Sequence, residues 1–126
     1  MTTSYLKVRK QFGVAIGTFQ VLQHRAVDMF VQTQLLESTA ILAAVKADED
    51  DADARRRAVS IAKARLTVGG KQVTQQSVQL HGGIGITDEA DIGLYFKRMH
   101  VLNALFGDED FHLARVAAPL GVGQVV

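Results

Sequence analysis

The residues best suited to chemistry in this sequence are cations and glycines rather than thiols or paired carboxylates. His81-Gly82-Gly83-Ile84-Gly85-Ile86 follows a helical stretch and places glycine at positions 82, 83 and 85. Such a glycine can end a helix by taking the left-handed conformation. It can equally let backbone N–H groups approach a phosphate where any side chain would clash. Spacing alone favours the helix-ending reading, because the GGxG pattern lacks the preceding strand of a dinucleotide-binding turn. Arg9 is ambiguous in the same way: a solvated helix-end cation is the default, and a guanidinium fork for a pyrophosphate the specific alternative.

Other chemistries are set aside by residue type and spacing. The chain has no cysteine, which excludes disulfides, thiolate metal sites and a cysteine nucleophile. That absence fits a reducing compartment, and a cytoplasmic protein is expected. His24, His81, His100 and His112 show no paired ligand spacing, so no metal site is expected. Ser4, Ser38, Ser60 and Ser77 fall in helical patterns with no strand-turn-helix elbow, against a serine hydrolase. The run Asp48-Glu49-Asp50-Asp51-Ala52-Asp53 lacks the glycine and terminal glutamate of a calcium loop and reads as a solvated turn between helices. Fourteen basic residues against 13 acidic ones leave a net charge of +1, too little for a nucleic-acid footprint. No apolar run reaches the length of a membrane span, and the N-terminal residues do not read as a signal peptide.

The elements that must position these residues are helices. The sequence has 126 residues, is 48% hydrophobic and contains a single proline and no tryptophan. Its many Ala, Leu, Val, Gln, Lys and Arg residues favour helix, and its length suits one domain. Residues 1–10 read as the end of a truncated first helix, and Gly13 and Gly17 as turn residues. Thr18 is the expected N-cap of a long helix over 18–47. The apolar stripe of that helix runs through Leu22, Ala26, Met29, Thr33, Leu36 and Ala40. A second long helix spans 54–80, with Val59, Ala62, Leu66, Gly69, Val73 and Gln76 on one face. Gly69-Gly70 are expected to permit close helix approach. Shorter helices follow over 88–103 and 108–118, the last stopping at Pro119. Leu120 to Val126 carries no readable pattern. The short turn between the long helices makes them antiparallel neighbours. The fold expected is all-α, an up-and-down four-helix bundle.

In combination these residues carry a resemblance. Arg9-Lys10-Gln11-Phe12-Gly13, Phe19-Gln20, Ala62-Lys63 and Gln79-Leu80-His81-Gly82-Gly83-Ile84-Gly85, in that order and spacing, resemble the C-terminal domain of acyl-CoA dehydrogenases, from about Tyr5 to Ala118. The resemblance implies a four-helix bundle that builds dimer and tetramer contacts. It also implies a flavin-dependent oxidation of acyl-CoA thioesters to 2,3-enoyl products, in which a carboxylate takes the alpha proton as hydride leaves to the flavin. FAD is then shared across a subunit interface. Arg9 is implied to face its diphosphate, with Gln11, Phe12 and Gln20 nearby, and Gln79, Gly82 and Gly83 to line the adenosine-diphosphate portion.

The sequence departs from the family pattern in three places. Phe106, in Leu105-Phe106-Gly107-Asp108, occupies the position where the family commonly carries its glutamate base, and phenylalanine cannot take a proton. No catalytic residue is therefore assigned. Asp108 and Asp110 replace flavin-binding residues with acids; Glu109 or Asp110 as a displaced base is less simple than a set of helix-start acids. The third departure is length, since full members add an N-terminal helical domain and a β-domain that wall the pocket. The chain alone is therefore expected neither to hold FAD tightly nor to turn over acyl-CoA. Its expected partners are identical or related acyl-CoA dehydrogenase-like subunits, with no nucleic acid and no membrane. A fragment of such an enzyme and a non-catalytic assembly subunit that has lost its base both fit. Either would expose an apolar groove along Leu22, Met29 and Leu36, or along Val59, Leu66 and Val73, as a site of association.

Overall fold

The structure, a computed structural model, describes residues 1–120, so the pattern-poor tail lies outside the described residues from 121 on. Its elements are α1 (Thr2–Val8), β1 (Lys10–Gln11), β2 (Val14–Ala15), α2 (Gln20–Ala47), α3 (Ala52–His81), α4 (Ile92–Ala104) and α5 (Glu109–Ala117). Three 3₁₀ turns, at Ile16–Thr18, Gly82–Ile86 and Ala118–Leu120, join or end them. The architecture is an all-α bundle. The strand pair is a minimal hairpin, Lys10 opposite Ala15 and Gln11 opposite Val14. Its two-residue turn puts both Phe12 (φ 53°) and Gly13 (φ 81°) in the left-handed region, which matches the twist of a tight hairpin.

The long helices pair through a seam with a shorter repeat than the one read from the sequence. Half-buried positions on α2 are Leu22, Ala26, Met29, Gln32, Leu36, Thr39 and Ala43, whereas Thr33 and Ala40 are exposed. That set repeats every 3.5 residues, as expected where two helices wind about each other and keep one seam in contact. Leu22, Met29 and Leu36 are therefore not an open groove. Leu36 lies against Gly69 of α3, and Gln32 accepts a hydrogen bond from Arg65. The exposed apolar residues of α2 lie away from that seam, at Val21, Val27, Phe30, Val31, Leu35, Ile41, Leu42 and Val45.

α3 has no single buried stripe because α1, α2, α4 and α5 all pack on it. Ala58, Ser60, Ala64, Thr67, Gly70 and Ser77 are buried, while Val59, expected on the buried face, is 47% exposed. Small side chains dominate because they let several helices come close. Gly69-Gly70 fulfil their expected role within an unbroken helix. A β-carbon at Gly70 would stand 2.6 Å from the Met99 sulfur of α4. The acidic run is the turn between α2 and α3. Asp51 caps α3, accepting from the backbone N–H groups of Asp53 (2.8 Å) and Ala54 (3.2 Å). Those bonds, from Ala54 first and then Asp53, hold the Asp51 carboxyl below its ordinary pKa. Thr18 does not cap α2: Phe19 stands at that position without a side-chain bond, and Thr18 Oγ1 donates to the Ala15 carbonyl at 2.7 Å.

Candidate functional site

Docking of α1 onto the end of α3 builds the site. The Tyr5 ring stacks on the His81 ring at 4.5 Å between centroids, and the Tyr5 hydroxyl donates to the His81 carbonyl at 3.2 Å. His81 is buried, and its Nδ1 lies 2.7 Å from the Ser77 carbonyl. A carbonyl only accepts, so Nδ1 carries the proton. This joint fixes Arg9, where α1 ends, beside the turn where α3 ends. The Arg9 carbonyl accepts from Ile16 at 2.8 Å, so the hairpin folds back on the same corner.

Between these parts lies a cavity of about 440 Å³, within the range of small-ligand sites. Of the residues implicated from the sequence, Arg9, Gln11, Gln79, Gly82 and Gly83 line it. Phe12 and Gln20 do not. Phe12 sits at the hairpin tip, 91% exposed, and Gln20 is exposed at the start of α2. From α2 the cavity receives Leu22 and Arg25 instead.

No carboxylate lines this cavity. The ion pairs among the described residues, Lys46–Glu49 and Arg56–Asp53, involve neither arginine that faces it. The two glycines have different reasons to be glycine. Gly82 has φ 63° and ψ −144°, a conformation that side chains oppose. Gly83 has no positive φ, and a β-carbon there would meet nothing within 4 Å. Packing within the chain therefore does not require glycine at position 83. Unpaired guanidinium groups, amide side chains and an open glycine backbone fit the diphosphate of FAD.

The Phe106 loop is a separate region. Phe106 is 90% exposed with φ 62°, followed by Gly107 at φ 102°. Lys63 Nζ donates to the carbonyls of Asn103 (3.1 Å) and Gly107 (3.0 Å). His112 Nε2 lies 3.1 Å from the Phe106 carbonyl. Asp108 caps α5, accepting from the Phe111 N–H at 3.0 Å, and Glu109 and Asp110 form its first turn. Lys63 and Gln79 are separated by about 24 Å along α3 at 1.5 Å per residue. The acids of α5 are therefore remote from the Arg9 cavity.

Sequence reasoning missed Arg25 and the Lys63–His112 clamp. Arg25 had a usable signal, since it continues the Gln32–Thr39–Lys46 row at seven-residue spacing. For the clamp, Lys63 stood out only as part of the Ala62-Lys63 motif, and its acceptors gave no signal because they are backbone carbonyls, which every residue carries.

Fold and cavity together define a helical domain with an arginine-lined concavity, free of carboxylates, where α1, α2 and α3 meet. Residues 1–121 match the model of the acyl-CoA dehydrogenase C-terminal domain. The chain is 40% identical over 120 residues to the acyl-CoA dehydrogenase IpdE2 of Mycolicibacterium smegmatis, covering 94% of this chain and 36% of that protein. It is 33% identical over 115 residues to the acyl-CoA dehydrogenase FadE34 of Mycobacterium tuberculosis, covering 91% of this chain and 16% of that one. A solved Tcur3481-Tcur3483 steroid ACAD variant superposes with a TM-score of 0.88 at 31% identity, over 95% of this chain and 33% of its own. The FAD complex of PigA gives 0.85 at 25% identity, over 95% and 31%. The chain belongs to the acyl-CoA dehydrogenase family, in the part that forms the C-terminal domain. It spans about a third or less of the length of these relatives.

Proposed function

We propose that this chain supplies the diphosphate-binding wall for FAD in an acyl-CoA dehydrogenase-like flavoprotein that oxidises acyl-CoA thioesters to 2,3-enoyl products. One observation carries the reading: Arg9, Gln11, Gln79, Gly82 and Gly83 meet on a single cavity without a carboxylate. FAD, when bound, supplies the hydride acceptor. The chain's own contribution is to bind and orient it. Arg9 offers a forked donor to phosphate oxygens, Gln11 and Gln79 offer amide groups, and Gly83 leaves room for the approach. Phe12 and Gln20 lie outside the cavity, where they are available to parts of the cofactor or partner beyond it. The cytoplasm is the expected compartment, on the absence of cysteine. No described helix is long and apolar enough to cross a membrane.

In the protein that carries this chain, Arg9→Ala should weaken FAD binding roughly ten- to hundredfold, the worth of a charge-assisted phosphate contact. Melting without flavin should hardly change, because Arg9 is exposed and ion-pairs with no described residue. Unchanged FAD affinity would remove the reading.

A second reading, a non-catalytic assembly subunit of the same family, is favoured by Phe106 at the position of the family's glutamate. Both readings call for an acyl-CoA dehydrogenase-like partner, identical or related. The exposed surface of α2 supports one: Phe30 and Val45 are 64% and 65% exposed, and Val27, Val31, Leu35 and Leu42 are exposed as well. Contiguous apolar surface of this kind marks an interface. Light scattering at micromolar concentration should show a dimer or larger species, and a clean monomer would count against association through α2.

A further inference from the structure

We infer that Arg25 is a second anion-binding residue of the Arg9 cavity, so that each of two guanidinium groups meets one charge of a diphosphate. The inference rests on the flavin-diphosphate reading above and extends it to a residue that the motif-based assignment leaves out. Arg25 lines the cavity together with Arg9, Gln79, Gly82 and Gly83. Its direction follows from the α2–α3 seam. Gln32 faces α3 and bonds Arg65 there; Arg25 stands two turns earlier in the same row, which in an antiparallel pair brings it to the last turns of α3. Leu22, one turn before Arg25, lines the same cavity.

The charge balance points the same way. Two guanidinium groups share a concavity with no carboxylate in its lining, although the chain carries 13 acidic residues. Asp28, one turn beyond Arg25, makes no ion pair with it. Two like charges held near one cavity repel until an anion sits between them. A diphosphate carries a charge for each fork, and a guanidinium, being less strongly hydrated than an ammonium, loses less on partial burial.

The test uses the protein that carries this chain, freed of flavin and titrated with FAD and with riboflavin, which lacks phosphate. Arg25→Gln should lower FAD affinity about tenfold and flatten its salt dependence. Riboflavin affinity should be unchanged, and Arg25→Lys should recover part of the loss. Arg9→Gln provides the reference. Loss with Arg9→Gln but not with Arg25→Gln overturns this inference alone. No loss with either overturns the diphosphate reading itself. An equal loss for FAD and riboflavin would show Arg25 to be structural and overturn the inference too.

Discussion

The two ends of the site-bearing helix α3 dispose of their cations in opposite ways. Toward its N-terminal half, Lys63 spends its ammonium on two carbonyls of its own chain and His112 holds a third. Gly107 is boxed in by Phe111 and His112. At the C-terminal end, Arg9 and Arg25 face a cavity without any anion of the chain, and Gly83 looks into open space. One region is closed on itself. The other leaves its guanidinium groups without a carboxylate in the cavity lining. Residue type would not separate them, since each combines a glycine, a histidine and a cation. What separates them is whether the donors already have acceptors.

The contrast is sharpest in a pair of identical substitutions. Gly107→Val should destabilise the fold by about 2–4 kcal/mol, because a β-branched residue opposes φ 102° and its β-carbon would overlap Phe111. Chemical denaturation reads this directly. Gly83→Val should change stability by less than about 1 kcal/mol, while lowering FAD affinity in the carrying protein by at least about tenfold. If the two variants melted alike, the contrast between the closed and open ends would be lost.

A smaller effect is expected at Asp51, which caps the N-terminal end of α3. Its native pKa is held below the ordinary value by the N–H groups of Ala54 and Asp53. Its contribution is therefore full above the unfolded pKa and is lost as pH falls through the depressed native one. Asp51→Ala should lower the melting temperature at neutral pH. The gap between variant and parent should close as acid protonates the parent's carboxyl, and a gap independent of pH would show that the cap is not the cause. Smallest of all is Phe106→Glu. The ring is 90% exposed, so stability should move by less than about 0.5 kcal/mol. No acyl-CoA turnover should appear in the isolated chain, because positioning contributes as much as the base. Turnover there would place the missing chemistry at that single residue.

Much of this was legible in the sequence because it depends on local pattern. The two long helices, the acidic turn between them and the close approach at Gly69-Gly70 follow from periodicity and glycine chemistry. Motif order brought out the five lining residues Arg9, Gln11, Gln79, Gly82 and Gly83. The α2 stripe slipped to Thr33 and Ala40 because a lone helix repeats every 3.6 residues and a wound pair every 3.5. The surroundings of α3 were unreadable for a related reason. A helix packed on several sides buries small residues all round, and Ala58, Ser60 and Ala64 give no amphipathic signal. Arg25 escaped notice because on its own it is an ordinary surface arginine of an amphipathic helix.

The Tyr5–His81 joint also bears on the order in which the chain folds. α2 and α3 meet through a short turn, so their hairpin closes with little loop entropy. Tyr5 and His81 are 76 positions apart, and their stack can form only once α3 is in place. The corner holding Arg9 beside Gly82-Gly83 therefore depends on a contact of long sequence separation and is expected to assemble after the α2–α3 hairpin. A ligand that bridges it binds the closed form alone, adding stability in proportion to the logarithm of its concentration over its dissociation constant. On the proposed reading, the cofactor would act as a latch between α1 and the end of α3.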